Sequence, residues 1–151
     1  QMQGFASQNE ENEFLTQRVQ GLLKEGLTTS EMAIFARTGK RLDSLRACLE
    51  QHGIASHFLS RDEERVPEDA ISTGTMHRAK GLEFKVVFAI DCSDAVLPHP
   101  KALAQADWPE DTEDALARER QLLYVTLTRA RDEAYISWTG DGSRFLEALD
   151  V

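Results

Sequence analysis

Residues 75–90 carry the sequence TMHRAKGLEFKVVFAI, in which a polar turn is followed by the clearest strand signal of the chain. Val86 to Ile90 are mostly β-branched or aromatic and are flanked by charge, which is typical of a buried strand. A second strand is predicted at residues 70–76, and the turn follows at residues 77–81. A turn at the end of a parallel strand is where α/β proteins bind ligands. A basic turn that is only solvated would have the same composition, so both interpretations stay open.

Strands and helices alternate on both sides of this stretch. Leucines three or four residues apart, as at Leu42, Leu45 and Leu49, indicate amphipathic helices. Strands are predicted at residues 32–36, 57–59, 70–76, 86–90 and 134–138, and helices at residues 10–26, 40–52, 113–131 and 143–149. A charged connector is predicted at residues 61–69 and a loop at residues 93–111. This alternation predicts an α/β fold with a mostly parallel sheet flanked by helices.

The length of 151 residues fits one domain, residues 1–151. No apolar run approaches the ~20 residues of a membrane span and no signal peptide opens the chain, so we expect a cytoplasmic protein without a membrane partner. Because the first residue is Gln1, we expect a fragment of a longer protein. Cys48 and Cys92 are expected to be reduced thiols, and no metal site is expected, including at Cys92 and His99.

The net charge of −9 argues against a surface that binds nucleic acid everywhere. It leaves room for a local cationic groove built from few residues. The acids at residues 107–114 could suggest a metal-dependent nuclease. Solvation and the dipole of the following helix explain them better.

Two segments resemble parts of a nucleotide site but do not complete one. Gly39 and Lys40 look like the end of a Walker A loop, yet Arg41 follows where Ser or Thr must hold magnesium, and Ile34 replaces the earlier glycine. Asp91 ends a hydrophobic strand, as a Walker B acid does. Without a phosphate-binding loop, a loop or helix-capping aspartate is the favoured interpretation.

Three motifs, in order, resemble those of UvrD/Rep-like superfamily 1 helicases. Residues 33–38, AIFART, are similar to motif IV of that family. Residues 75–84, TMHRAKGLEF, resemble motif V, and residues 119–130, ERQLLYVTLTRA, resemble motif VI. The resemblance extends from about residue 10 to the end of the chain.

The resemblance implies the second RecA-like motor domain of an ATP-dependent DNA helicase, with a P-loop-NTPase-type fold that lacks its own P-loop. ATP and Mg²⁺ would be shared with the N-terminal RecA-like domain of the same polypeptide. Arg37 and Arg129 match arginines that contact the γ-phosphate and act in catalysis. Gly81 and Glu83 match the nucleotide side of motif V, with Glu83 near the ribose.

Single-stranded DNA is the second partner that the resemblance implies. Thr75 and His77 match positions that touch the strand, and Arg78 could meet its phosphates. The chain departs from the family at Ala36, where an aromatic residue often stacks on adenine. It also lacks the large helical insertion between motifs IV and V, since only residues 38–74 intervene. A helicase–nuclease and a non-hydrolytic DNA- or protein-binding module are the alternative functions.

Overall fold

The computed structural model describes residues 1–63 and 65–149, which form a parallel six-stranded sheet with helices on both faces. The strand order is β1-β6-β5-β2-β4-β3. The strands are β1 (Met2–Phe5), β2 (Met32–Ala36), β3 (Ser56–Phe58), β4 (Ile71–Thr75), β5 (Phe84–Ile90) and β6 (Ala130–Thr139). The helices are α1 (Gln8–Lys24), α2 (Gly39–Gln51), α3 (Pro100–Ala104) and α4 (Pro109–Leu127). Short 3₁₀ turns cover Thr29–Glu31, Met76–Arg78 and Arg144–Leu149. The predicted α/β class is confirmed.

The central strands β2 and β5 are buried on both faces, which explains their continuous apolar sequences. Successive side chains of a strand point to opposite faces. Met32 and Ile34 therefore join one core cluster, and Ala33 and Phe35 join another. The same alternation sends residue 37, just past the end of β2, to the second face.

Helices α1 and α2 cover the first face with leucine-rich stripes that are fully buried. Ser7 caps α1, since its Oγ accepts the N–H of Glu10 at 3.2 Å. Helix α4 covers the second face and buries Leu123. None of the described helices is both long and apolar enough to cross a membrane.

The region between β5 and β6 differs from the prediction in two ways. The predicted loop at residues 93–111 contains α3 and the start of α4, because Pro100 and Pro109 occupy the first turns of these helices, where proline is favourable. The predicted helix at residues 113–131 ends early, at Leu127, because β6 begins at Ala130. Its last residues are therefore strand.

Strand β1 has no counterpart among the predicted elements. Its sequence MQGF lacks β-branched residues, and it pairs only at the sheet edge with β6. A Cβ at Gly4 would lie 2.6 Å from Nε1 of Trp138, so this close approach requires glycine. The predicted final helix at residues 143–149 is a 3₁₀ turn.

Candidate functional site

An open cleft of about 770 Å³ lies between α4 and the turn that follows β4. Its charged lining is mostly basic: Lys80 comes from the turn, and Arg118 and Arg129 come from α4 and its end. The imidazole of His77, also on the turn, lines the cleft beside them. Glu119 is the acidic side chain in this lining. A chain with a net charge of −9 thus has a local cationic cleft.

Arg37 and Glu119 form a bidentate ion pair at this cleft. Nε of Arg37 lies 2.8 Å from one carboxylate oxygen of Glu119, and Nη2 lies 3.0 Å from the other. Glu119 also accepts the backbone N–H of His99 at 2.7 Å. Burial raises the pKa of Glu119, but the guanidinium of Arg37 and the His99 N–H outweigh it, so this pKa lies below its ordinary value.

His77 is exposed on the turn, and the charges of Arg37 and Glu119 act on its imidazole. Loss of hydration lowers the pKa of its imidazole, and the charge of Arg37 lowers it further, against the opposing effect of Glu119. His77 is therefore neutral near pH 7. It can offer a neutral ring nitrogen at neutral pH and a cation only under acidic conditions.

Arg129 follows the end of α4 and folds back over its own helix. Its Nε donates to the carbonyl of Val125 at 3.2 Å, and its Nη2 donates to Thr128 Oγ1 at 3.1 Å. An ion pair with the nearby Asp132 would have given this arginine a purely structural role. Within residues 1–63 and 65–149, Arg129 takes part in no such pair.

Gly81 lines the cleft, whereas Glu83 lies outside it, in a neighbouring depression. Gly81 has φ +82°, a left-handed conformation that glycine adopts without strain, and it lines both the cleft and a neighbouring depression. Glu83 lies in that depression, where its Oε1 is 3.6 Å from Nε of Arg131. Both side chains of this pair are at least half exposed, so the contact is weak.

The predicted DNA-binding residues do not all line the cleft. Thr75 ends β4 and is half-buried near Gly39. Nε of Arg78 donates to the carbonyl of Ser60 at 2.8 Å, so this arginine anchors the connector after β3. His77 is the member of the predicted set that lines the cleft.

A second charged cluster, which the sequence analysis missed, lies on the opposite face of the sheet. Arg41 pairs with Glu11 at 2.8 Å, and both side chains are buried. The second oxygen of Glu11 accepts the backbone N–H of Asp91 at 3.0 Å and the hydroxyl of Ser137 at 2.6 Å. Glu11 lies four residues before Leu15, on the apolar stripe of α1. An acid on the buried face of a helix was the feature of the sequence that could have indicated a buried ion pair.

Asp91 belongs to this buried cluster rather than to a phosphate site. It follows β5 with a left-handed φ of 54°. Burial and the neighbouring Glu11 raise the pKa of Asp91 to about 6, and Arg41 opposes this shift. The interpretation as a loop aspartate is confirmed, since no helix begins at this residue.

The structure offers no phosphate-binding loop or metal cluster within its described residues. Only Arg37 and Thr38 connect β2 to α2, which is too short for a Walker A loop. Across residues 1–63 and 65–149, no group of three or more His, Cys, Asp and Glu side chains is arranged to hold a metal ion. Ala36, where the resembled family often carries an aromatic residue, is fully buried.

Within the described residues the chain is an α/β domain with a basic cleft and no phosphate-binding loop. Its fold matches a crystal structure described as the C-terminal domain of a possible DNA helicase from Lactobacillus plantarum WCFS1, with a TM-score of 0.67. The match covers 96% of this chain and 76% of that chain at 19% identity. At that identity the likeness establishes the fold.

Sequence comparison establishes the family. The model of the UvrD-like helicase C-terminal domain matches residues 54–141, so the chain belongs to this family. The chain is 40% identical over 77 residues to the ATP-dependent DNA helicase PcrA of Bacillus subtilis, covering 51% of this chain and 10% of that protein. It is 36% identical over 130 residues to the ATP-dependent DNA helicase UvrD1 of Mycobacterium leprae, covering 83% and 15%.

The chain therefore spans only a small part of the relatives that it matches. The family model includes the segments of motifs V and VI but begins after Arg37.

Proposed function

We propose that this chain is the C-terminal motor domain of an ATP-dependent DNA helicase. In this proposal ATP lies between the cleft of this domain and the N-terminal motor domain of the same polypeptide. Arg37 and Arg129 complete the nucleotide site from this side. The main support is one observation: a cationic cleft has Arg129 in its lining and Arg37 paired with the lining residue Glu119.

The chemistry of the cleft suits a triphosphate. Bound ATP supplies a terminal phosphoryl group whose negative charge spreads during transfer. A planar guanidinium can bind two of its oxygens at once, which an ammonium cannot. Within the part of the chain that the structure describes, the acceptors that Arg129 contacts are neutral, namely the carbonyl of Val125 and the hydroxyl of Thr128, so its positive charge is available to a ligand.

The magnesium ion of this reaction would be held by the other motor domain. The cleft offers mainly cations, which do not bind Mg²⁺, and its carboxylate, Glu119, is already occupied by Arg37 and His99. Gly81 and Glu83 would contact the nucleotide at the edge of the cleft. Glu83 can turn toward a ribose hydroxyl, because its pair with Arg131 is long and exposed.

Single-stranded DNA is the proposed second ligand, through Thr75, His77 and Arg78. These residues follow one another where β4 ends, so one strand could meet all three. Arg78 would bring charge to the phosphates while its Nε keeps Ser60 in place. Because the turn connects directly to Gly81 on the cleft, movement of the nucleotide and of the DNA could be coupled.

The test is ATP hydrolysis by the full-length polypeptide with and without single-stranded DNA. Arg129→Ala is expected to lower the DNA-stimulated kcat by about 10³-fold or more. The 151-residue chain alone is expected to be inactive, because the phosphate-binding loop would lie in the other domain.

Arg144→Ala is the matched control. Arg144 is an exposed arginine that pairs with Asp94, and the cleft residues do not include it. This variant should keep the wild-type rate. Undiminished hydrolysis by Arg129→Ala, or no hydrolysis by the intact polypeptide, would refute the proposal and favour a module that only binds DNA or protein.

A further inference from the structure

The pair of Arg37 and Glu119 holds the arginine by one side only. The carboxylate takes Nε–H and one N–H of Nη2. An arginine side chain has five N–H donors, so among the described residues three stay without a partner, all on the outer Nη1 and Nη2 end. The guanidinium can thus bind Glu119 and an oxyanion at the same time.

Glu119 is itself held firmly. It lies in the middle of the 19-residue helix α4, and its side chain is only 4% exposed. A third hydrogen bond, from the His99 N–H, fixes the oxygen that also receives Nε of Arg37. The carboxylate therefore joins three elements: the end of β2, the segment before α3, and α4.

Arg37 needs such a partner because its backbone does not place the guanidinium. It follows the last residue of β2, and four rotatable bonds separate its backbone from the charge. Catalytic groups act best when their geometry is set before the reaction.

We infer that Glu119 is a positioning residue, which fixes the guanidinium of Arg37 so that its free end points into the cleft. This inference rests on the proposed role of Arg37 in ATP hydrolysis. Glu119 would not touch the nucleotide. Its effect would pass entirely through Arg37.

Because Glu119 would act only through Arg37, the decisive measurement compares single and double variants of these two residues in the full-length polypeptide. DNA-stimulated kcat and KM for ATP are measured for Glu119→Gln, Arg37→Ala and the combined variant. Glu119→Gln is expected to lower kcat by about 10- to 100-fold, since a small misplacement of a catalytic group has effects of this size. In the Arg37→Ala background, Glu119→Gln should cause no further loss.

Two further variants separate positioning from folding. Glu119→Asp keeps the buried charge but withdraws it by one methylene, so kcat should fall although the protein stays folded. Asp94→Asn is the control, because Asp94 also holds an arginine, Arg144, through Nε, Nη2 and a backbone N–H. The Asp94→Asn variant should weaken the pair with Arg144 without any change in kcat.

The outcomes are distinct. If Arg37→Ala abolishes hydrolysis but Glu119→Gln and Glu119→Asp do not lower it, the positioning role is wrong and the proposed function stands. A loss from Glu119→Gln that is equal in both backgrounds would show a general structural effect and also overturn the inference. If Arg37→Ala itself hydrolyses ATP normally, the proposed role of Arg37 fails.

Discussion

Two arginine–glutamate pairs lie on opposite faces of the sheet, and their arginines are only four residues apart in the chain. Arg37 and Glu119 meet at the open cleft with side chains 14% and 4% exposed. Arg41 and Glu11 meet beneath the surface with side chains 2% and 0% exposed. The closest distance between the charged atoms is 2.8 Å in each pair, so the contact alone does not separate them.

The two ion pairs differ in what surrounds them. Glu11 is surrounded by the protein and binds Arg41, the backbone of Asp91 and Ser137, so its bonds join α1, α2, β6 and the end of β5. Glu119 lines a cleft that a ligand or water can enter. The same ion pair is therefore enclosed by the protein at one site and accessible from a cleft at the other.

The largest expected effect is on stability at the buried pair. Arg41→Met leaves Glu11 as an uncompensated buried charge, which typically costs about 3–5 kcal/mol. Arg37→Met should cost less than about 2 kcal/mol, because water in the cleft can solvate Glu119 and the His99 N–H still binds it. Urea unfolding of the two variants measures this difference, and equal losses would remove the distinction between the pairs.

The next effect concerns the cleft alone. Arg129→Lys keeps the charge but loses the planar fork, so kcat for ATP hydrolysis by the full-length polypeptide should fall at least about 100-fold. The unfolding midpoint should hardly move, because the present contacts of Arg129 are to its own helix and Thr128. A variant with normal kcat would show that a point charge suffices.

The buried cluster should also set part of the pH dependence of stability. The pKa of Asp91 is raised to about 6 from 3.8, so the folded protein binds this proton more tightly than the unfolded chain. The stabilisation from Asp91 is present below about pH 4 and is lost as the pH rises through about 6. Above this range Asp91→Asn should be more stable than wild type by about 1–3 kcal/mol.

Asparagine also tolerates the left-handed backbone at this position, so the substitution introduces no new strain. Unfolding free energies at pH 4 and pH 7.5 provide the comparison. The advantage of Asp91→Asn should vanish at the lower pH. A constant difference at both values would show that the carboxyl of Asp91 does not titrate in this range.

The smallest expected effect is on the proposed DNA binding at the turn where β4 ends. The pKa of His77 lies below its ordinary value of 6.5, so this residue becomes a cation only in acid. Affinity for a labelled oligothymidylate should therefore rise as the pH falls below 6.5, by about two- to fivefold more in wild type than in His77→Gln. Fluorescence anisotropy at constant ionic strength measures both curves, and parallel curves would place His77 away from the phosphates.

The regular part of the fold was predictable from the sequence because its signals are local. The apolar runs of β2 and β5 and the leucine stripe of α2 identify elements without knowledge of their neighbours. Strand β1 was not predictable in this way, since Gly4 is explained only by Trp138, which is distant in sequence. Helix α4 was predicted to end too late, at residue 131 rather than at Leu127, because no local signal marks the change to β6.

The candidate site was predictable only in part, because contacts between residues that are distant in sequence leave no local signal. Motif resemblance named Arg37 and Arg129; in the structure Arg129 lines the cleft and Arg37 pairs with Glu119, which also lines it. Glu119 was recognised within motif VI but not as the partner of Arg37, 82 residues away. Glu11 and Arg41 were missed because their pairing depends on how two helices pack.

The most direct test of the division between the two pairs is the variant Arg37→Ala in the full-length polypeptide, with ATP hydrolysis and unfolding free energy measured on the same sample. We expect kcat to fall by about 10³-fold or more. The free energy of unfolding should fall by less than about 2 kcal/mol. Normal hydrolysis accompanied by a large loss of stability would contradict this account, because Arg37 would then be a structural residue like Arg41.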